Sequence, residues 1–342
     1  MVRTFTLLTL LISLISVNTS QGQNKSKNIE DMKNLKEETS NTNPLLCDIE
    51  TGMCEMPGDE KKDENLKTAH VGEKPVKLVY FTDPICSSCW GIEPQLRKLK
   101  LEYGDHIEIE YRMGGLLPDW NYNSGGISSP KDVASHWDEV SLHYDMPIDG
   151  DLWLEDPLNS SYPPSIAFKA AQLQDEEKAL LFMREMRELV FLKKKNIAKW
   201  EHIATAAEAV GLNVSQLKTD FEGQAKVLFQ EDLLTAREYG VRGFPTIFFV
   251  DENDHKEIVY GSRPYPFYEM AILKINPEIV KSEYSKNWEE LFKIYPTLTA
   301  KEFSELSGTP RAQCENILDE LTTQGKLEKL VTKNGAMWSI VK

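Results

Sequence analysis

Two short motifs, far apart in the chain, constrain its fold more than anything else. The first is Cys86-Ser87-Ser88-Cys89. It follows the β-branched and aromatic run Val76–Thr82 (VKLVYFT) and opens a helix-spaced series, Ile92, Leu96, Leu99 and Tyr103. The second is Gly243-Phe244-Pro245-Thr246, which leads into the apolar strand Thr246–Val250. A thiol at a helix N-terminus meets unpaired backbone N–H groups and the positive end of the macrodipole, and both favour thiolate. Cys86 is the outer position and the expected nucleophile, and Cys89, in the first turn, is the expected resolving thiol. A proline at the start of a core strand cannot donate to a ladder. A cis bond at Phe244–Pro245 accounts for it and leaves the Phe244 backbone available to an extended substrate; an ordinary trans proline capping an edge strand is the plainer account.

Between the motifs, Ile107–Met113 alternates as a strand and Gly114-Gly115-Leu116-Leu117-Pro118 leaves it as a loop. Helical patterns follow near 130–145, 163–173, 175–192, 197–210, 213–222 and 224–239, with Ser129 and Pro130 as N-cap and first position and Gly211 and Gly240 as terminators. A returning strand at Glu257–Tyr260 and a helix at 265–275 complete the pattern. Pro94, inside the helix that Cys89 opens, predicts a kink. The order implies an α/β, thioredoxin-like core at 76–114 and 240–280, with an inserted helical domain at 115–239.

The run TDPICSSCWGIEPQLRKL, the GGLLP loop and GVRGFPTIFF resemble the DsbA-like thioredoxin family. Within it they are similar to the FrnE and 2-hydroxychromene-2-carboxylate-isomerase-like branch, and to the cytosolic SpxH type. The resemblance covers about 76–275. It implies Cys86 as nucleophile, Cys89 as resolving thiol, Pro245 as the cis-proline facing them, and disulfide exchange with protein thiols and disulfides. Phe244, Pro245 and Trp90 are the expected substrate contacts, with Trp120 and Trp137 as further aromatic walls of the groove; core packing is the plainer account for at least one of the three tryptophans. No cofactor beyond the redox pair is expected, glutathione excepted. Ser87-Ser88 supplies no histidine between the cysteines, which implies a mild redox potential. Asp83 either opposes the thiolate by like charge or is a turn residue.

The main expectation is a protein-disulfide oxidoreductase or isomerase. The resemblance also allows a non-redox, client-binding adaptor of the SpxH type, or a glutathione-dependent isomerase; retention of both cysteines argues against the last.

Five cysteines in 342 residues are too few for a disulfide scaffold. Besides Cys86 and Cys89 there is a second pair, Cys47 and Cys54, in segment 24–75. That segment has no aromatic residue, 8 Lys and 12 acidic residues, which predicts a flexible linker. Gly52 can supply the turn that brings the two sulfurs together. An accessory redox relay to Cys86, a simple disulfide, and a zinc site shared with Cys86 and Cys89 all remain open; no metal is the working expectation. Cys314, with Ile317, Leu318 and Leu321 at helical spacing, is expected to be a buried core thiol. His136 and His143, seven apart on one helix, read as surface or groove residues.

Residues 1–23 pair Arg3 with a 13-residue apolar run, a signal-peptide pattern that implies export to the periplasm or another extracytoplasmic space. Membrane contact is then confined to that segment if it is retained, and translation from Met32 would give a cytoplasmic chain instead. At 287–342, two helices and a hairpin around Asn334-Gly335 predict a small α+β, winged-helix-like domain. Its candidate recognition helix carries Arg311 beside Glu315, Asp319 and Glu320, and Glu290–Lys342 balances seven basic against seven acidic residues. With a net charge of −15, no nucleic-acid partner is expected.

Overall fold

The fold is that of a computed structural model, which describes residues 47–49, 51–55, 74–121 and 129–341. The expectation for 1–23 and most of that for 24–75 lie outside them. Within the segment read as a linker, β1 (Cys47–Asp48) and β2 (Met53–Glu55) form an antiparallel hairpin instead. The absence of large apolar side chains there is offset by backbone pairing with a neighbouring strand, described below.

The central sheet has the order β4-β3-β6-β7. β3 (Val76–Thr82) runs parallel to the next strand, β4 (Ile107–Met113). Between them the chain forms two helices, α1 (Ser87–Gly91) and α2 (Glu93–Tyr103). The helix breaks at Ile92, and Pro94 stands in the first turn of α2, where a missing N–H costs nothing. The expected kink is therefore a clean division into two helices.

Among the described residues, seven helices stand between β4 and the next strand: α3 (Pro130–Tyr144), α4 (Leu152–Glu155), α5 (Tyr162–Gln172), α6 (Glu176–Phe191), α7 (Trp200–Ala209), α8 (Val214–Glu222) and α9 (Gln224–Glu238). Ser129 and Asp132 close a capping box on α3. The chain returns through β5 (Gly243–Phe244), β6 (Thr246–Val250), β7 (Lys256–Tyr260) and α10 (Tyr265–Ile275). β6 runs antiparallel to both β3 and β7.

Period-2 alternation divides β3 between two cores. Val76, Leu78 and Tyr80 pack on α2 and α10 with Leu99, Tyr268 and Ile272. Val79 and Phe81 face the helical layer with Phe168, Phe229 and Phe248. The site-bearing strand is buried on both faces and thus held rigidly.

The last elements are α11 (Trp288–Ile294), β8 (Thr297–Thr299), α12 (Ala300–Ser307), α13 (Arg311–Thr323), β9 (Leu327–Thr332) and β10 (Gly335–Ile340). The strands order as β8-β10-β9 around a separate core of Phe292, Leu298, Phe303, Leu306, Cys314, Leu318 and Trp338. This is the winged-helix-like unit, and Cys314 is fully buried in it. Arg311 and the hairpin tip, the cations a DNA-binding wing would present, are engaged internally. Arg311 pairs with Asp145 at 2.6 Å and Lys333 with Asp138 and Asp151, both at 2.6 Å.

Candidate functional site

β3 ends by delivering Asp83 into a tight turn. Its backbone carbonyl accepts from the Cys86 N–H at 3.2 Å, and its carboxylate from the Ile85 N–H at 3.0 Å. The second carboxylate oxygen accepts from Leu116 N–H and the Ser161 hydroxyl, both at 2.8 Å. The turn leaves Cys86 in extended conformation as the N-cap of α1, its sulfur accepting the Cys89 N–H at 3.2 Å. A cysteine sulfur thus does what a serine or aspartate oxygen does at an ordinary helix start.

Neither catalytic-type thiol reaches solvent: Cys86 and Cys89 are both 0% exposed. Burial is the largest influence raising the Cys86 thiol well above its ordinary value, and the neighbouring Cys89 and Asp83 add to it. Burial also pushes Cys89 up, but its hydrogen bond with Cys86, the Arg187 charge and the Thr82 and Tyr80 hydroxyls bring it net below the ordinary value. One negative charge on the pair is therefore better accommodated at Cys89. Arg187, 1% exposed, is anchored by a salt bridge to Glu93 and donates to Thr82 Oγ1 at 2.8 Å.

The Phe244–Pro245 bond is cis, and β5 immediately precedes the proline. β5 is already paired: Cys54 opposes Phe244 and Glu55 opposes Gly243 in antiparallel register. The strand that pairs there carries Cys54, which is disulfide-bonded, and its sulfur lies 3.3 Å from Cys86 Sγ. Ser88 Oγ is 3.4 Å from the same sulfur and 2.7 Å from the Tyr144 hydroxyl. Chemically the arrangement holds a free dithiol against a disulfide. Among the described residues no group of three His, Cys, Asp or Glu is placed to hold a metal ion.

A family model described as "Thioredoxin" matches residues 80–270. The ClpXP adapter protein SpxH of Halalkalibacterium halodurans is 35% identical over 306 residues, 86% of this chain and 97% of that protein. Its counterpart in Shouchella clausii is 30% identical, over 85% of this chain and 95% of that one. The chain belongs to the thioredoxin family and groups there with the SpxH proteins. Among solved structures, the cytosolic disulfide reductase DsbM from Pseudomonas aeruginosa is 17% identical, covers 59% of this chain and 99% of its own, and has a TM-score of 0.49.

In this thioredoxin-family chain the structure brings Cys86, Cys89, Phe244, Pro245 and Cys54 together but places several other expected residues elsewhere. Cys86 is not the exposed sulfur of the pair, because the β1–β2 hairpin covers it. Trp90 does not face the groove. It is fully buried, donates from Nε1 to the Pro147 carbonyl at 3.0 Å, stacks on Phe191 and lies under Arg184. Trp137 likewise packs edge-on against Trp153, and Trp120 packs on the same ring while its Nε1 bonds the Leu158 carbonyl. His136 is buried, its ring pushed down to about 4 by desolvation, while His143 is exposed.

Arg187, Thr82, Tyr80, Ser88 and Tyr144 were not legible as site residues. Arg187 sits in the run Met183-Arg184-Glu185-Met186-Arg187-Glu188, which reads as an ordinary charged helix face.

Asp83 carries a testable electrostatic signature. Burial raises its carboxyl from an ordinary value of 3.8 to about 6, against the three hydrogen bonds and Arg187. A carboxyl raised on folding contributes stability that is complete below the unfolded value and lost as pH rises through the folded one. A shift of this size corresponds to about 3 kcal/mol lost between about pH 4 and pH 6. Urea midpoints of the wild type should therefore fall across that window relative to Asp83→Asn, whose curve should be flatter. Parallel curves would refute the assignment.

Proposed function

We propose that this chain is a protein-binding adapter of the SpxH type, whose thioredoxin-like core holds extended polypeptide along β5. The observation that carries the reading is the antiparallel pairing of β2 with Gly243 and Phe244 beside Pro245. An extended segment there gains main-chain hydrogen bonds without sequence demands, the physics of strand addition. The adapter relatives align with nearly their whole length, which supports the same reading. The full burial of Cys86 supports binding over turnover, since a nucleophile closed off from solvent does not meet protein disulfides freely.

The test is proteolysis by ClpXP of soluble host extract, with and without the chain. An adapter accelerates loss of a defined client, and a Cys86→Ser, Cys89→Ser double variant does so equally well. Unchanged half-lives throughout, or acceleration that vanishes in the double variant, would overturn the reading.

A second reading, thiol–disulfide exchange with protein substrates, draws on one specific observation: Cys86 Sγ caps α1 and accepts the Cys89 N–H. It expects measurable insulin reduction that Cys86→Ser abolishes. Insulin reduction no faster than that of the Ser variant would rule it out. N-terminal sequencing of the mature protein decides whether residues 1–23 are removed.

A further inference from the structure

The β1–β2 hairpin does more than cover the thiols. We propose that it is a resident substrate: β2 lies along the cis-proline strand as an extended polypeptide would, and presents the Cys54 disulfide to Cys86 for intramolecular exchange.

Three independent features of the dock carry this. The first is register. Cys54, and not a neighbour, stands opposite Phe244, which places its sulfur 3.3 Å from Cys86 Sγ, inside the separation at which two reacting atoms are poised. A one-residue slip would turn Cys54 to the other side of the strand.

The second is the fit of the backbone. A Cβ on Gly243 would lie 2.5 Å from the Cys54 carbonyl oxygen, and one on Gly261 would lie 2.1 Å from that of Thr51. Gly52, at φ +66°, would place a Cβ 2.7 Å from Ser262 N, whose N–H donates to the Gly52 carbonyl at 2.7 Å. Glycines on both sides of the interface let the two backbones approach.

The third is chemical. Cys86, Cys89 and Cys314 are free thiols while Cys54 is oxidised, so both halves of a redox couple face each other in one chain. Cys47 stands directly opposite Cys54 in the hairpin register, which makes it the proposed disulfide partner.

The exchange balances without an outside oxidant or reductant. Cys86 sulfur, its proton passing to the Cys89 thiolate, attacks Cys54 Sγ. The Cys86–Cys54 bond forms, the Cys47–Cys54 bond breaks, and Cys47 leaves with the electron pair and takes up the proton from Cys89. The Cys89 thiolate then attacks Cys86, closing the Cys86–Cys89 disulfide and releasing Cys54 as thiolate. Ser88, held by Tyr144, is within reach of that sulfur as a donor. The dithiol is oxidised, the hairpin disulfide is reduced, and two electrons move.

The inference shares the β2–β5 pairing with the adapter reading, but its readout is a linked peptide and not client loss, so the two fail separately. The experiment uses the full chain with Cys89→Ser, which removes the resolving thiol, in alkaline buffer, whose base takes the Cys86 proton in place of Cys89. Disulfide mapping by mass spectrometry should find a Cys54–Cys86 peptide together with one new free thiol at Cys47. Its rate of formation should not depend on protein concentration, and it should exceed that of Cys86 with about 1 mM oxidised glutathione by about tenfold, as expected for a tethered reactant. Gly52→Val on the same background alters the hairpin and leaves the core sequence intact. It should cut the Cys54–Cys86 peptide at least about tenfold and raise alkylation of Cys86 by iodoacetamide by a similar factor. The proposal is overturned if the linked peptide is absent, if its rate scales with protein concentration, or if Gly52→Val changes neither readout.

Discussion

Glu302→Ala should cost about 3–5 kcal/mol of stability and lower the melting temperature by about 10 °C. Glu302 is 0% exposed and takes a bidentate pair from Arg184, at 2.8 and 3.1 Å, and a third bond from Arg97 at 3.1 Å. Arg184 comes from α6 and Arg97 from α2, so one carboxylate on α12 ties the winged-helix-like unit both to the helical insertion and to the thioredoxin-like core. Its oxygen also accepts the Thr299 N–H at 2.7 Å, closing the capping box of α12. Burial alone would push the Glu302 carboxyl up, but the two arginines hold it below its ordinary value. Removing the carboxylate leaves two guanidiniums buried. Arg184 retains Glu188 at 2.7 Å, whereas Arg97 keeps the Thr297 carbonyl and a more distant Glu93 at 3.8 Å. The uncompensated charge outweighs the lost cap, which is worth about 1 kcal/mol. Glu302→Gln, which keeps a carbonyl oxygen but not the charge, should fall between. Equilibrium urea unfolding measures both, and a loss below about 1 kcal/mol for Glu302→Ala would show that this ion cluster does not hold the two units together.

Local pattern made most elements readable in advance. VKLVYFT and TIFFV are apolar on both faces because both faces are covered, and the helices of the inserted block carry their own start and stop residues, such as Ser129-Pro130 and Gly211. What pattern missed depends on pairing across distance. Met53–Glu55 has no strand signature of its own, and its order comes from the free edge at Gly243–Phe244. Thr297–Thr299, three residues long, is a strand only because β10 lies beside it. At the site, a CxxC pair is visible as a motif, but the covering of its outer sulfur is set by a hairpin more than thirty residues upstream. Trp90 illustrates the same limit. Adjacency to Cys89 suggests a groove wall, yet one step along a helix turns a side chain by about 100° and points this one into the core.

Gly114→Ala should be nearly as damaging as Glu302→Ala, by a purely steric route, and it bears directly on the site. A Cβ at Gly114 would fall 1.7 Å from Cζ of Phe244 and 2.1 Å from Cε1, in the face of a ring that is fully buried. Those atoms belong to an inner ring with packed neighbours, so the strain cannot be relieved by swinging a flexible end into solvent. Overpacking of this kind costs about 1–3 kcal/mol or more. The ring's own strand, β5, must move, and β5 is the edge that holds Cys54 over Cys86. Loss of stability should therefore come with faster alkylation of Cys86, a coupling that a clash in the general core would not produce. A double-mutant cycle separates the two causes. Phe244→Ala alone should cost about 3–5 kcal/mol through its cavity. In the Gly114→Ala background the same truncation relieves the clash, so its cost should be smaller by at least about 1 kcal/mol. Additive losses in the cycle, or unaltered Cys86 reactivity in Gly114→Ala, would sever the link drawn between the glycine loop and the covered thiol.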